Sequence, residues 1–152
     1  MKEETLAPVV RALYHGLGNR LVAVVLFGSR ARGDASPESD WDLLVVARDL
    51  PQRPFQRHLF LKRLLPAEWR GRVAILARTP EEFEARLPAL FLDIALDGII
   101  LYDPQDYMAK RLAELRRLIQ EYGLRRVQRG RDLVWNWDRP PGPDWSVEWG
   151  AG

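Results

Sequence analysis

The stretch Leu26-Phe-Gly-Ser-Arg-Ala-Arg-Gly-Asp-Ala-Ser-Pro-Glu-Ser-Asp-Trp-Asp-Leu-Leu-Val-Val46 decides how this chain is read. It opens on the end of an apolar run, Leu21 to Phe27, which has the character of a strand buried on both faces. The run stops at Gly28-Ser29, and a polar, turn-rich passage continues through Ser39. Asp40 and Asp42 then lead into a second apolar run, Leu43 to Ala47.

Two buried strands side by side, with a small-residue bend closing the first, have a chemical consequence. Gly28 has no side chain, so its backbone can lie close to a ligand. Ser29 adds a hydroxyl at the expected start of a short helix, where free N–H groups attract phosphate. Asp40 and Asp42, two apart on a strand, point to one face about 7 Å apart, a spacing that can bracket a hard cation such as magnesium. Two solvent-facing aspartates are the plainer alternative. They account poorly for acids leading so apolar a strand, because aspartate is depleted in strands.

Gly28-Ser29, ten intervening residues and Asp40-Trp41-Asp42 together resemble the signature of the DNA polymerase beta-like nucleotidyltransferases. The wider strings Gly28-Ser29-Arg30-Ala31-Arg32-Gly33 and Ser39-Asp40-Trp41-Asp42-Leu43 are most similar to the small stand-alone members, the minimal nucleotidyltransferases. The resemblance implies an α/β (α+β) fold, a small mixed β-sheet flanked by helices. It implies Asp40 and Asp42 as the catalytic, magnesium-holding pair, and Gly28 and Ser29 as the cradle of a nucleoside triphosphate, most simply ATP. Arg30 and Arg32 are candidates to assist at the phosphates, with surface roles equally open to each. The reaction implied is transfer of a nucleoside monophosphate to an acceptor hydroxyl. Small members often pair with a helical protein of the HEPN type in toxin–antitoxin systems, so such a partner is allowed here.

The resemblance weakens on the third strand, expected at Arg72 to Ala77. Active members usually carry a third carboxylate there, and Val73 to Arg78 contains no acid. Either the site binds nucleotide with little transfer, or another acid reaches it. The Thr79-Pro80-Glu81-Glu82 string matches a helix capping box, which gives Glu82 a local role, and Glu81 suits the first turn of that helix. Asp93 and Asp97 lie four apart in an otherwise apolar helical segment. They are expected to face solvent or meet arginines, with contact near the active site or with a partner as the alternative.

The rest of the chain frames this core. Residues 3–17 read as a helix with Leu6, Val9, Val10, Leu13 and Leu17 on one face, and Pro54 to Leu65 reads as a second. Gly98 reads as a helix stop before a short strand, Ile99 to Tyr102, and Asp103-Pro104 as the opening of a long helix that ends at Gly123. His15 and His58 are read as capping, surface or structural residues rather than catalytic ones. A boundary at 123 divides a nucleotidyltransferase domain, 1–123, from an Arg/Trp/Pro-rich extension, 124–152. In that extension Leu133 to Trp137 is expected as an edge strand or arm, and the remainder packs on the domain or on a second subunit.

Composition excludes several classes. With no cysteine among 152 residues, disulfides and thiolate metal sites are ruled out. No run is apolar enough to span a membrane, and the N-terminus lacks a signal-peptide pattern, so a cytoplasmic protein is expected. A net charge of +2 is too small to argue for nucleic acid. The arginines at 111, 116, 117, 125, 126, 129 and 131 nonetheless leave an RNA-binding reading to be tested, beside a solvated basic face. A homo-oligomer is also allowed.

Overall fold

The structure is a computed structural model that describes residues 5–130 and 132–137. Four strands form one sheet in the order β3-β2-β1-β4, where β1 is Leu21–Phe27, β2 Trp41–Ala47, β3 Val73–Arg78 and β4 Ile99–Tyr102. The central pair β1 and β2 is antiparallel, β3 runs parallel to β2, and β4 runs antiparallel to β1, so the sheet is mixed as expected.

The two central strands are apolar at every position they bury because both sheet faces are covered. On one face Val24, Leu26, Leu43 and Val45 pack against Val9, Leu13 and Leu17 of α1 (Ala7–Leu17) and Leu61 of α3 (Pro54–Leu64), α2 being the short helix Ser29–Arg32. On the other, Ala23, Val25, Leu44 and Val46 meet Phe83 of α4 (Pro80–Ala85), Phe91 and Ile94 of α5 (Ala89–Asp97), and Met108, Leu112 and Leu115 of α6 (Tyr107–Glu121).

Several boundaries differ from the sequence reading. Helix α1 begins at Ala7, with Pro8 in its first turn; residues 1–4 lie outside the described residues. Asp103 does not open α6 but caps it from a preceding turn: its carboxylate accepts from the N–H groups of Met108 at 3.0 Å and Ala109 at 2.8 Å. Gly98 does stop α5, in ordinary backbone rather than a left-handed turn. A side chain there would stand 2.5 Å from the carbonyl oxygen of Ile94. Residues 124–129, read only as a basic passage, form β5 (Leu124–Arg129), which pairs antiparallel with β6 (Asp132–Trp137) in a separate two-stranded hairpin. Leu133 to Trp137 is thus a strand, and its partner is local. Leu124 and Trp135 lay the hairpin against the α5–α6 face. The expected Pro-rich tail, 138–152, lies outside the described residues. Among those described, no helix is long and apolar enough to cross a membrane.

Strand β3 is an edge, and α3 covers it with cations. Lys62 Nζ donates to the carbonyl of Val73, and Arg57 donates to that of Ala77 at 3.3 Å. Long basic side chains laid over edge carbonyls block pairing with another strand. Arg57 also grips Glu82, whose carboxylate closes the capping box by accepting from Thr79 N–H at 2.8 Å. The hydrogen bond from Arg57, helped by Thr79 N–H, holds the Glu82 carboxyl below its ordinary value of 4.5. A depressed carboxyl stabilises the fold above its unfolded-state pKa and loses that contribution as pH falls through the folded one. Glu82→Gln is therefore expected to cost about 1 kcal/mol at neutral pH. In urea titrations the gap from wild type should narrow as pH drops below 4.5; a pH-independent gap would contradict this origin.

Candidate nucleotide-binding site

The site is built where β1 ends and β2 begins. Antiparallel pairing sets Phe27 opposite Asp42, and the chain then turns at Gly28, with φ 74°, into α2. A Cβ on Gly28 would fall 2.3 Å from Asp42 Oδ2. The glycine therefore supplies both a left-handed backbone and the space that the carboxylate uses. The N–H groups of Ser29 and Arg30 open α2 and have no preceding helical turn to bond.

Asp42 lies on β2 and is half-buried, whereas Asp40 precedes the strand and is exposed. This corrects the expectation that both acids sit on the strand. The ladder starts one residue later, where Trp41 N–H donates to the carbonyl of Arg72 at 2.9 Å. The two carboxylates are still neighbours. Burial, and next the charge of Asp40, raise the Asp42 carboxyl above its ordinary value, with Arg32 pulling it back. Among the described residues neither aspartate forms an ion pair. Two adjacent carboxylates, one partly desolvated and neither in an ion pair among the described residues, leave room for further positive charge beside that of Arg32 and Lys62. That donor set fits a hard divalent cation whose remaining positions are filled by phosphate and water oxygens.

The arginines divide the work. Arg30 stacks 4.4 Å over the Trp41 ring and donates to the carbonyls of Ser39 at 3.0 Å and Pro37 at 3.2 Å. Of the two roles left open for it, assisting at the phosphates or a surface role, the contacts here tie down the loop that delivers Asp40. Arg32 stays nearer the acids, with Asp34 at 3.2 Å and Asp97 at 4.0 Å.

Among the described residues no third acid joins the pair, and there is no cluster of three metal-ligating side chains. The β3 residue in register with Asp42 is Ala74. Glu82 is held in its capping box, and Asp93 and Asp97 are held by Arg126 at 3.2 and 2.6 Å. The expected arginine contacts of these two are therefore observed. The basic stretches are partly matched as well: Arg111 pairs with Glu84 and Arg117 with Glu121. A groove of about 530 Å³ beside β3, lined by Arg57, His58, Arg78 and Glu82 among others, contains none of the predicted site residues.

Lys62 escaped the sequence reading. Burial lowers its pKa and the charge of Asp40 opposes that, which brings its ammonium into the electrostatic surroundings of the acid pair. Its one signal in the sequence is rarity, since lysine occurs only at 2, 62 and 110.

Comparison with known proteins accords with this geometry. The nucleotidyltransferase domain family matches residues 9–121. A candidate protein adenylyltransferase of Methanocaldococcus jannaschii is 48% identical over 48 residues, 32% of this chain and 33% of that protein, so the chain matches about a third of this relative's length. Among solved structures, a toxin–antitoxin with AMP-PNP superposes with a TM-score of 0.54 at 18% identity, covering 74% of this chain and 86% of that one. A tri-AMPylated Shewanella oneidensis HEPN toxin in complex with MNT antitoxin gives 0.50 at 17% identity, covering 74% and 82%. At these identities the structural likeness speaks for the fold. The family match covers most of the chain and, with the glycine-serine bend and the acid pair already in place, makes this protein a member of the nucleotidyltransferase domain family.

Proposed function

We propose that the protein transfers AMP from ATP, with magnesium, to a hydroxyl on a protein acceptor. The observation that carries this is the pair Asp40 and Asp42, in no ion pair among the described residues, set against the bare backbone of Gly28. The bend and the opening amides of α2 would receive the triphosphate, and Arg32 would add charge beside it. Asp40 and Asp42 would hold the magnesium, which when bound screens the charge on the departing pyrophosphate. In the step itself the acceptor oxygen bonds to the α-phosphorus and the α–β anhydride bond breaks. Pyrophosphate leaves with that electron pair, and the hydroxyl proton passes to water or to a base brought by the acceptor. A protein acceptor of the helical HEPN kind is supported by the AMPylated toxin seen with a fold neighbour and by the adenylyltransferase name of the relative.

A second reading is a nucleotide- or partner-binding module. It is favoured by Ala74, which stands in register with Asp42 where a third carboxylate is absent.

Incubation with labelled ATP, magnesium and candidate acceptors separates the two. Under the enzyme reading, Asp40→Asn and Asp42→Asn each lower label transfer by about two orders of magnitude. Wild-type binding of magnesium–ATP without transfer supports the module, and Ala74→Asp should then bring transfer into view. Gly28→Ala forces a Cβ into the space of Asp42 Oδ2 and strains a left-handed residue, so an approximately hundredfold loss of transfer with retained folding is expected. Transfer at the wild-type rate in that variant would remove Gly28 from the site.

A further inference from the structure

Helix α5 ends on Asp97, whose side chain is only 13% exposed. Arg126 of the hairpin takes both of its oxygens, donating to Oδ2 at 2.6 Å and to Oδ1 at 2.9 Å. The same Arg126 reaches Asp93 at 3.2 Å, and Trp135, its partner across the hairpin, donates to Asp93 at 3.0 Å. The hairpin lies beyond the 9–121 segment that the family matches. Yet the carboxylate it occupies is also the one that Arg32 of the site approaches, at 4.0 Å.

This geometry allots Asp97 unequally between two cations. A carboxylate so enclosed is costly to leave unpaired. Among the described residues the other cation beside Asp97 is Arg32, at 4.0 Å, which also donates to Asp34 at 3.2 Å. We propose that Arg126 is a positioning residue for the nucleotide site: by satisfying both oxygens of Asp97, the terminal hairpin keeps that carboxylate from capturing Arg32. The inference rests on the nucleotide reading above, in which Arg32 serves the phosphates. The hairpin then acts as a charge neutraliser as well as a cover for the α5–α6 face. Asp93 has a second donor in Trp135, so of the two carboxylates Asp97 depends more on Arg126.

The test is calorimetric titration of the full chain with a non-hydrolysable magnesium–ATP analogue. Arg126→Met should raise Kd roughly tenfold, the loss of one charge-assisted phosphate contact. The double variant Arg126→Met/Asp97→Asn has no carboxylate to capture Arg32 and should bind within about twofold of wild type. Asp97→Asn alone, which leaves the hairpin arginine in place, should bind at least as tightly as wild type. A purely structural hairpin predicts the reverse order, with the double variant no better than Arg126→Met, and that result overturns the proposal. So does Arg126→Met binding as wild type, or Asp97→Asn binding markedly more weakly. If Arg126→Met does not fold, Asp97→Asn decides. A wild type that binds no analogue sinks the nucleotide reading and this inference with it, whereas tight wild-type binding with the reverse order sinks the inference alone.

Discussion

The contact between the Gly28 backbone and the Asp42 carboxylate is the constraint on which the site depends. It follows from one register: β1 and β2 pair so that Phe27 faces Asp42, and the next residue must turn away without a side chain. A slip of one residue in that pairing would put Asp42 on the opposite face of the sheet, among the leucines of α1 and α3. The register is secured by apolar burial on both faces, since Val24, Val25, Leu43 and Leu44 are fully enclosed and cannot exchange sides without exposing one core or the other. The hydrophobic layers thus set the position of a carboxylate to within the space of a missing methyl group.

Around that contact the chain sorts positive charge with some economy. Arg30 is consumed by loop carbonyls and the Trp41 ring, which makes the approach to Asp40 rigid. Arg57 and Lys62 are consumed by the carbonyls of the β3 edge. Arg126 is consumed by Asp93 and Asp97. Each guanidinium finds an acceptor close to where the fold needs one. What remains is an acid pair with no ion-pair partner among the described residues, next to Arg32, which is held by Asp34 at 3.2 Å and approaches Asp97 at 4.0 Å. That imbalance is what a cation with a bound polyphosphate would restore.

The structure also shows how much of a third strand can be retained when a carboxylate is absent from it. β3 keeps its parallel register on β2, its edge protection and its contribution to both cores, with Ala74 opposite Asp42. Ala74, near the strand's start, is only partly buried.

The glycine-serine bend, the apolar runs of the four strands and α3, and the capping box at Thr79 were legible from residues alone, because each is local: a turn residue, a periodicity, a cap, whereas Asp40 was placed on a strand that begins one residue after it. The resemblance carried by Gly28 to Asp42 pointed to the family for the same reason. Three things were decided only by tertiary structure. Arg30 and Arg32 are two apart on one short helix and chemically alike, and only the fold of the loop sends one to Ser39 and the other toward Asp97. Strand β5 has too little apolar alternation to declare itself, and it exists because β6 and the α5–α6 face give it a partner and a floor. The Asp93–Asp97 pair, repulsive along its own helix, becomes favourable once Arg126 arrives from about thirty residues away. Local sequence encodes geometry that a few consecutive residues can enforce. The pairing of charges distant along the chain depends on which surfaces the core brings together, and no short spacing records that.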